Sequence, residues 1–427
     1  MVVSKNHITV FEHEILRAVE GSFFDFNKLK ELQLFYGTKG VPFFNLIHNG
    51  IKFCEYVGVL QVGKTTIEVL PKADKKHDEG IWRRMLIGML RTVGVFEIHA
   101  PSSSILKLKP NSILDLYFEF FIDEVEFLLH SGLIKQYRKK EGNTYSLKGN
   151  LQFGKHIQQN LVHQERFYVR STIFDHEHKL HFILYKTIRL ISVLNTNHVL
   201  QSRIGALLLY FPEMLDIKVS DETFCTITYN RKTIAYRRAI EIARLLLLHY
   251  HPDVSRGQND VLALMFDMNK LWEKFVLASI RKNISSGITL KAQPFKYFWK
   301  SESGKRTKME PDIIINPGDK DNCFVIDTKW KNLNGKNPSP DDLRQMYVYH
   351  EYFGAKKVAL VYPGELEEPI VKGKYIDKVT GKDIDEMECS TISLKVNEDI
   401  NKWQQGIFRT VEEWMSLTDM IGDDVLI

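Results

Sequence analysis

At 427 residues the chain is long enough for two or three domains, each with its own core. Its 44% hydrophobic and 26% charged content is ordinary for a globular protein, and 58 Lys and Arg against 53 Asp and Glu give only weak support for nucleic-acid binding. Four scattered cysteines, Cys54, Cys225, Cys323 and Cys389, argue against a zinc site and a disulfide framework and fit a reducing compartment. The N-terminal residues lack the apolar stretch of a signal peptide, and no apolar run approaches the ~18 residues of a membrane span. A cytoplasmic location is expected, with no membrane partner.

In chain order, residues 1–105 read as a small α+β domain. Ile51–Val59 and Thr65–Leu70 alternate as strands, and Ile81–Val93 has the spacing of an amphipathic helix. Between the strands, Gly58–Thr65 matches the phosphate-binding pattern G-x-x-x-x-G-K-[ST]. A phosphate loop must run into a helix whose amides hold the anion. Here a β-branched run ended by Pro71 follows, so the segment reads as a β-hairpin with Lys64 and Thr65 projecting at its turn.

Residues 106–255 turn helical. Ile113–His130 is a long apolar helix with Gly132 placed to cap it, and Arg237–His249 is another. The basic cluster Lys135, Arg138, Lys139 and Lys140, with Tyr137, reads as a solvated loop or a surface for phosphates or an acidic partner. His176, His178 and His181 do not share one helical face, so an exposed helix start is expected in preference to a metal site.

The final domain, residues 256–427, carries the chemistry. A helix through about Lys282, capped by Asp267 or Asn269, contains Glu273. Ile313–Ile315 and Cys323–Ile326 then read as strands joined by a turn at Pro317, Gly318 and Asp319. Such a hairpin brings Asp312 and Asp327 together, and two adjacent carboxylates repel unless a cation lies between them. Oxygen ligands with room for water suit Mg²⁺. Asp312 and Asp327, with the Thr328 carbonyl, form the expected metal site. Lys329 alternates onto the face of Asp327, where its ammonium can orient an attacking water or offset charge on a phosphate. The helix in DDLRQMYVYHEYFG puts Gln345 and Tyr349 on one face, and Lys357–Tyr362 is a buried strand of the same sheet. Residues 364–427 are mixed and carry no recognisable chemistry.

Pro311-Asp312, fourteen residues, then Asp327-Thr328-Lys329 resembles the PD-(D/E)XK nuclease motif, and Gln345-x-x-x-Tyr349 resembles a helix that some of these nucleases place beside the active site. Nucleases of this class often add an acidic residue from a preceding helix, which here implies Glu273. Met265–Val276, Ile326–Lys331 and Leu343–Phe353, with Val57–Lys72 and Gly132–Phe153, together resemble the McrC family, the nuclease subunit of McrBC modification-dependent restriction systems. The last ~60 residues match it least, extensions being common near termini.

The resemblance implies an α/β multidomain chain with a restriction-endonuclease-like C-terminal domain. It implies a Mg²⁺-dependent DNA endonuclease with Asp312, Asp327, Lys329, Glu273 and Gln345 as catalytic candidates. It also implies an McrB-like AAA+ GTPase ring as partner, docked through the N-terminal half, and double-stranded DNA with modified cytosine as substrate; the projecting turn of the Val57–Lys72 hairpin makes Lys64 and Thr65 the expected contacts with that ring. Two other readings fit the same residues: a non-catalytic DNA-binding activator of the partner GTPase, and a stand-alone RecB-like exonuclease.

Overall fold

The computed structural model describes residues 7–416, apart from 23, 38–39, 63–64, 73–78, 94–112, 249, 252–260, 285–286, 320, 334 and 365–367. The chain forms two compact units, one of residues 1–101 with 265–427, the other of residues 102–264. The first and third domains of the sequence division are therefore one unit, and the physical reason is a shared interior.

In that unit, β1 (His7–Phe11) pairs in parallel with β3 (Thr65–Leu70), which forms an antiparallel hairpin with β2 (Tyr56–Val62). The hairpin expected from the sequence is present, and no helix follows the glycine-rich stretch. The strand expected over Ile51–Val59 is two strands, Gly50–Phe53 and β2. The first belongs to a separate small sheet with Phe44–Ile47 and Ile15–Arg17, so the chain must bend at Cys54 and Glu55 to join β3. The Glu55 carbonyl at this bend accepts from the Met268 N–H at 2.9 Å. Helix α1 (Glu79–Thr92) turns Trp82, Met85, Leu86, Met89 and Leu90 inward at helical spacing.

The remainder of the unit is a mixed sheet flanked by helices. Asp267 caps α2 (Met268–Asn283) by accepting from the N–H groups of Asn269 and Lys270. There follow β4 (Leu290–Ala292), β5 (Lys296–Lys300), β6 (Arg306–Met309), β7 (Ile313–Ile315) and β8 (Phe324–Thr328). Next come α3 (Pro340–Phe353), β9 (Lys357–Pro363), β10 (Asp383–Leu394) and, last among the described elements, α4 (Ile400–Ser416). The sheet runs β4-β7-β8-β9-β10, and the short strands Ile370–Val371 and Lys374–Ile376 pair antiparallel with β10. Strands β8, β9 and β10 are parallel, with Asp327 opposite Leu360 and Leu360 opposite Thr391. Helix α3 makes the crossover between β8 and β9 that parallel strands require. It starts on the Ser339 cap with Pro340 in its first turn and stops at Gly354, whose φ of +60° suits glycine.

Both faces of the sheet are covered, which is why β8 and β9 are buried along their whole length. Val325, Val358 and Leu360 pack with Met346 and Tyr349 of α3. Elsewhere Trp272, Phe275, Trp330 and Trp403 form an aromatic cluster, with Trp272 5.4 Å from Trp330 and Phe275 4.7 Å from Trp403 between ring centroids. Glu12, just after β1, is buried and accepts from Trp330 Nε1 and from the Lys72 N–H, both at 2.7 Å. That carboxylate fastens the N-terminal strands to the residue after Lys329.

The second unit contains helices Ile113–Ser131 and Arg237–Leu248, close to the expected spans, and two further helices, Lys179–Leu194 and His198–Tyr210. Its departure from a mainly helical reading is the nine-residue antiparallel ladder of Gln136–Thr144 with Phe167–Asp175. The basic cluster therefore lies largely on a strand. There Arg138 pairs with Asp175 and Glu177, and Tyr137 lies 4.6 Å from Phe174. His178 caps the helix at Lys179, as a helix start should, but His181 is fully buried where an exposed position was expected. Its ring bonds the His176 carbonyl and the Tyr236 hydroxyl, and burial pulls it down to about 4. Among the described residues no helix is long and apolar enough to cross a membrane.

Candidate active site

The site follows from the register of β7 against β8. Ile313 stands opposite Ile326, so the residues flanking that pair, Asp312 and Asp327, meet at one end of the hairpin. The turn that sets this register has positive φ at Asn316 (49°) and Gly318 (93°).

Asp312 Oδ2 accepts from the Thr328 N–H at 2.6 Å and the Thr328 hydroxyl at 2.7 Å. These bonds hold the carboxylate in place and pull its pKa down, but burial wins and the net shift is upward. Asp327 is 2% exposed. Burial, then the charge of Asp312, push it up to about 6, against the pull of Lys329. Lys329 Nζ lies 2.8 Å from Asp327 Oδ2. The two groups form an ion pair at the buried end of the hairpin. For Lys329 itself burial pulls the pKa down, and the neighbouring Asp327 more than reverses that.

Gln345 sits between these groups. Its amide donates to Asp327 Oδ1 at 3.4 Å and to the Tyr349 hydroxyl at 2.7 Å, and its oxygen accepts from Lys329 Nζ at 3.2 Å. Tyr349 in turn donates to the Glu310 carbonyl at 3.1 Å. The Gln345 and Tyr349 pair expected from helical spacing thus shares one network with the carboxylates. Glu273 also belongs to the site: burial, then Asp312, push it up to about 7.

Gln293 was not foreseen. Its side chain donates to Glu273 Oε1 at 2.8 Å while its N–H donates to the Asp312 carbonyl at 2.9 Å. It reaches this position because β4 pairs with β7, Ala292 opposite Ile313, and no local pattern announces that pairing. Thr65, expected to project at the β2–β3 turn, is only 2% exposed. It opens β3 opposite Val62, inside the ladder instead of at the tip. Lys64 lies outside the described residues.

The raised pKa of Glu273 has a consequence for stability. A carboxyl whose folded pKa exceeds its ordinary 4.5 favours the fold below 4.5 and loses that contribution as pH rises through about 7. Glu273→Gln keeps the acceptor for Gln293 and removes the charge. Its melting temperature is expected to exceed that of the unaltered protein at pH 8, with the gap closing near pH 4. Parallel melting curves at the two pH values check this.

Fold and site together define a mixed α/β protein with paired carboxylates and a lysine at the ends of adjoining strands. The sequence matches the McrBC family, described as McrBC 5-methylcytosine restriction system component, over residues 51–363. The chain belongs to that family, and the resemblance drawn from its motifs holds. The fold is that of a chain in the refined half-complex from the tetradecameric assembly of Thermococcus gammatolerans McrB AAA+ hexamers with bound McrC. The TM-score is 0.72 at 20% identity, over 96% of this chain and 100% of that one. A chain of the cryo-EM structure of the Thermococcus gammatolerans McrBC complex aligns with a TM-score of 0.48 at 20% identity, over 66% of this chain and 89% of that one. No curated protein matches the sequence.

Proposed function

We propose that this chain is the McrC-type subunit of a GTP-dependent restriction complex, a PD-(D/E)XK endonuclease that cleaves DNA containing modified cytosine by Mg²⁺-dependent phosphodiester hydrolysis. The observation that carries the reading is the meeting of two carboxylates, Asp312 and Asp327, at one end of the β7–β8 hairpin, with Lys329 2.8 Å from Asp327. Lys329 offsets only part of the charge of this pair, since Asp312 and Asp327 both keep raised pKa values, and a further cation would relieve the rest. Among the described residues no three His, Cys, Asp or Glu side chains make a ready metal cluster. Two carboxylates with one backbone carbonyl, the rest left to water and phosphate, nonetheless fit Mg²⁺, which keeps much of its hydration.

Asp312, Asp327 and the Thr328 carbonyl are the residues that would hold the ion. Bound there, Mg²⁺ would supply Lewis-acid stabilisation of a phosphoryl oxygen. The chain's own groups do the rest. Thr328 fixes Asp312 through two hydrogen bonds, and Gln345 fixes Asp327 and Lys329 relative to each other. The Lys329 ammonium offsets charge that grows on the phosphate as a water attacks. Glu273, pushed up to about 7 and so poised between its two protonation states near neutral pH, is suited to pass a proton at the site's edge.

The partner is an McrB-type AAA+ GTPase ring; the assembly containing the similar fold holds McrB AAA+ hexamers. Docking falls to the N-terminal strands, with Lys64 as a proposed contact. Their tie to the residue after Lys329 through Glu12 gives that surface a physical connection to the site.

A covalently closed circle carrying modified cytosine tests the proposal, offered with Mg²⁺, with and without the partner ring and GTP. Linear product only when both are present is expected. Cleavage that demands free ends would instead identify an exonuclease, and no cleavage under any condition would leave only an activator.

A further inference from the structure

Strands β5 and β6 form a two-stranded hairpin that lies outside the main sheet. Every residue of β5, Lys296–Lys300, is exposed, as are the first three of β6. An isolated hairpin with both faces in water is marginal by itself. This one nevertheless exposes a run of large aromatic residues: Phe295 is 53% exposed, Tyr297 52% and Trp299 56%. Exposed aromatics at that density mark a contact surface. A bulge between Tyr297 and Trp299 breaks the alternation, so the aromatic groups are not confined to one face.

The charge around these rings is mainly positive, although Lys308 also pairs with Glu310 at 2.5 Å. Residues 295–308 contain Lys296, Lys300, Lys305, Arg306 and Lys308 against Glu302 alone. The Arg306 guanidinium lies 5.4 Å from the centre of the Tyr297 ring, and the Lys308 ammonium 5.6 Å from that of Phe295. Lys296 reaches the other way, donating to the Tyr352 carbonyl at 2.6 Å, and thereby fastens the hairpin's base to the end of α3. Cations interleaved with exposed rings are what single-stranded or distorted nucleic acid requires. Phosphates meet the charges, and bases stack on the rings whatever their identity. A partner protein's core contact would favour fewer charges.

Both feet of the hairpin stand in the active site. Before β5, Gln293 holds Glu273 and the Asp312 carbonyl. After β6, the Glu310 carbonyl accepts from Tyr349, and Asp312 follows two residues later. We infer that the β5–β6 hairpin is a DNA-contacting element, which grips the backbone and stacks on bases beside the phosphodiester presented to Asp312, Asp327 and Lys329. This rests on the nuclease reading and adds to it the surface that seats the substrate.

The test is equilibrium binding of fluorescein-labelled duplex and single-stranded DNA to the full chain in EDTA, where no cleavage interferes. Tyr297→Ala combined with Trp299→Ala is expected to weaken binding to at least one probe about tenfold or more. Lys305→Gln combined with Arg306→Gln is expected to reduce the salt dependence of binding, with a slope smaller by about 1 to 2. Melting temperatures near that of the unaltered protein show that each double variant is folded. Unchanged affinity and slope in both variants overturn the inference while leaving the nuclease reading intact. So does unchanged DNA binding with loss of self-association or of the partner ring, which would make the hairpin a protein interface. Failure of the unaltered chain to bind either probe would instead count against the nuclease reading itself.

Discussion

Asp327→Asn is expected to lower DNA cleavage by about a thousandfold or more, because Lewis-acid assistance worth several kcal/mol is lost with its ligand. The substitution preserves shape and keeps an oxygen that can accept from Gln345, so folding and partner binding should survive. The fold should even gain where the charged form is disfavoured. Asp327 sits at about 6 in the fold against an ordinary 3.8, so its contribution is present below 3.8 and is lost as pH rises through 6. At pH 8 the variant should melt above the unaltered protein, and near pH 4 the two should coincide. Cleavage at the normal rate by the asparagine variant would remove Asp327 from the mechanism.

Lys329→Ala separates phosphate stabilisation from metal binding. The ammonium lies 2.8 Å from Asp327 and is held by the Gln345 oxygen, a position from which it offsets developing charge. Removing it should lower cleavage by roughly 10²–10³-fold, the scale for losing one preorganised charge-stabilising group. The carboxylate pair remains, so added Mg²⁺ should still raise the melting temperature of this variant, as a ligand that binds only the folded state must. With Asp327→Asn the same addition should raise it little. Cleavage assays beside melting curves with and without Mg²⁺ distinguish the two roles. A lysine variant that cleaves normally would make Lys329 a mere counter-ion to Asp327.

These residues could be found from sequence because their geometry is local. An apolar run, a turn with Pro317 and Gly318 and a second apolar run fix an antiparallel register, and that register alone brings Asp312 to Asp327. Lys329 and the Gln345–Tyr349 pair follow from strand and helix periodicity, again within one element each. What escaped depends on pairings between distant segments. Gln293 reaches the site only through the pairing of β4 with β7. Glu12 and Trp330 are 318 positions apart, and no local pattern tells a buried carboxylate at the end of a strand from a solvated one.

Thr65 shows the opposite error. Its place beside a turn implied exposure, yet it forms the last pair of the ladder, opposite Val62, and is buried. The C-terminal residues looked featureless because β10 and α4 carry no residue pattern with a chemistry of its own. Their role is to extend the sheet beyond β9 and to supply Trp403 and Trp414 to the aromatic core.

The most direct test of a metal-dependent carboxylate site is crystallographic, with Mn²⁺ soaked into the full chain in place of Mg²⁺ and located by its anomalous scattering. The account predicts one strong peak between Asp312 and Asp327, about 2.1 Å from an oxygen of each, that vanishes in Asp327→Asn. A peak elsewhere, or one that persists unchanged in the variant, would contradict it.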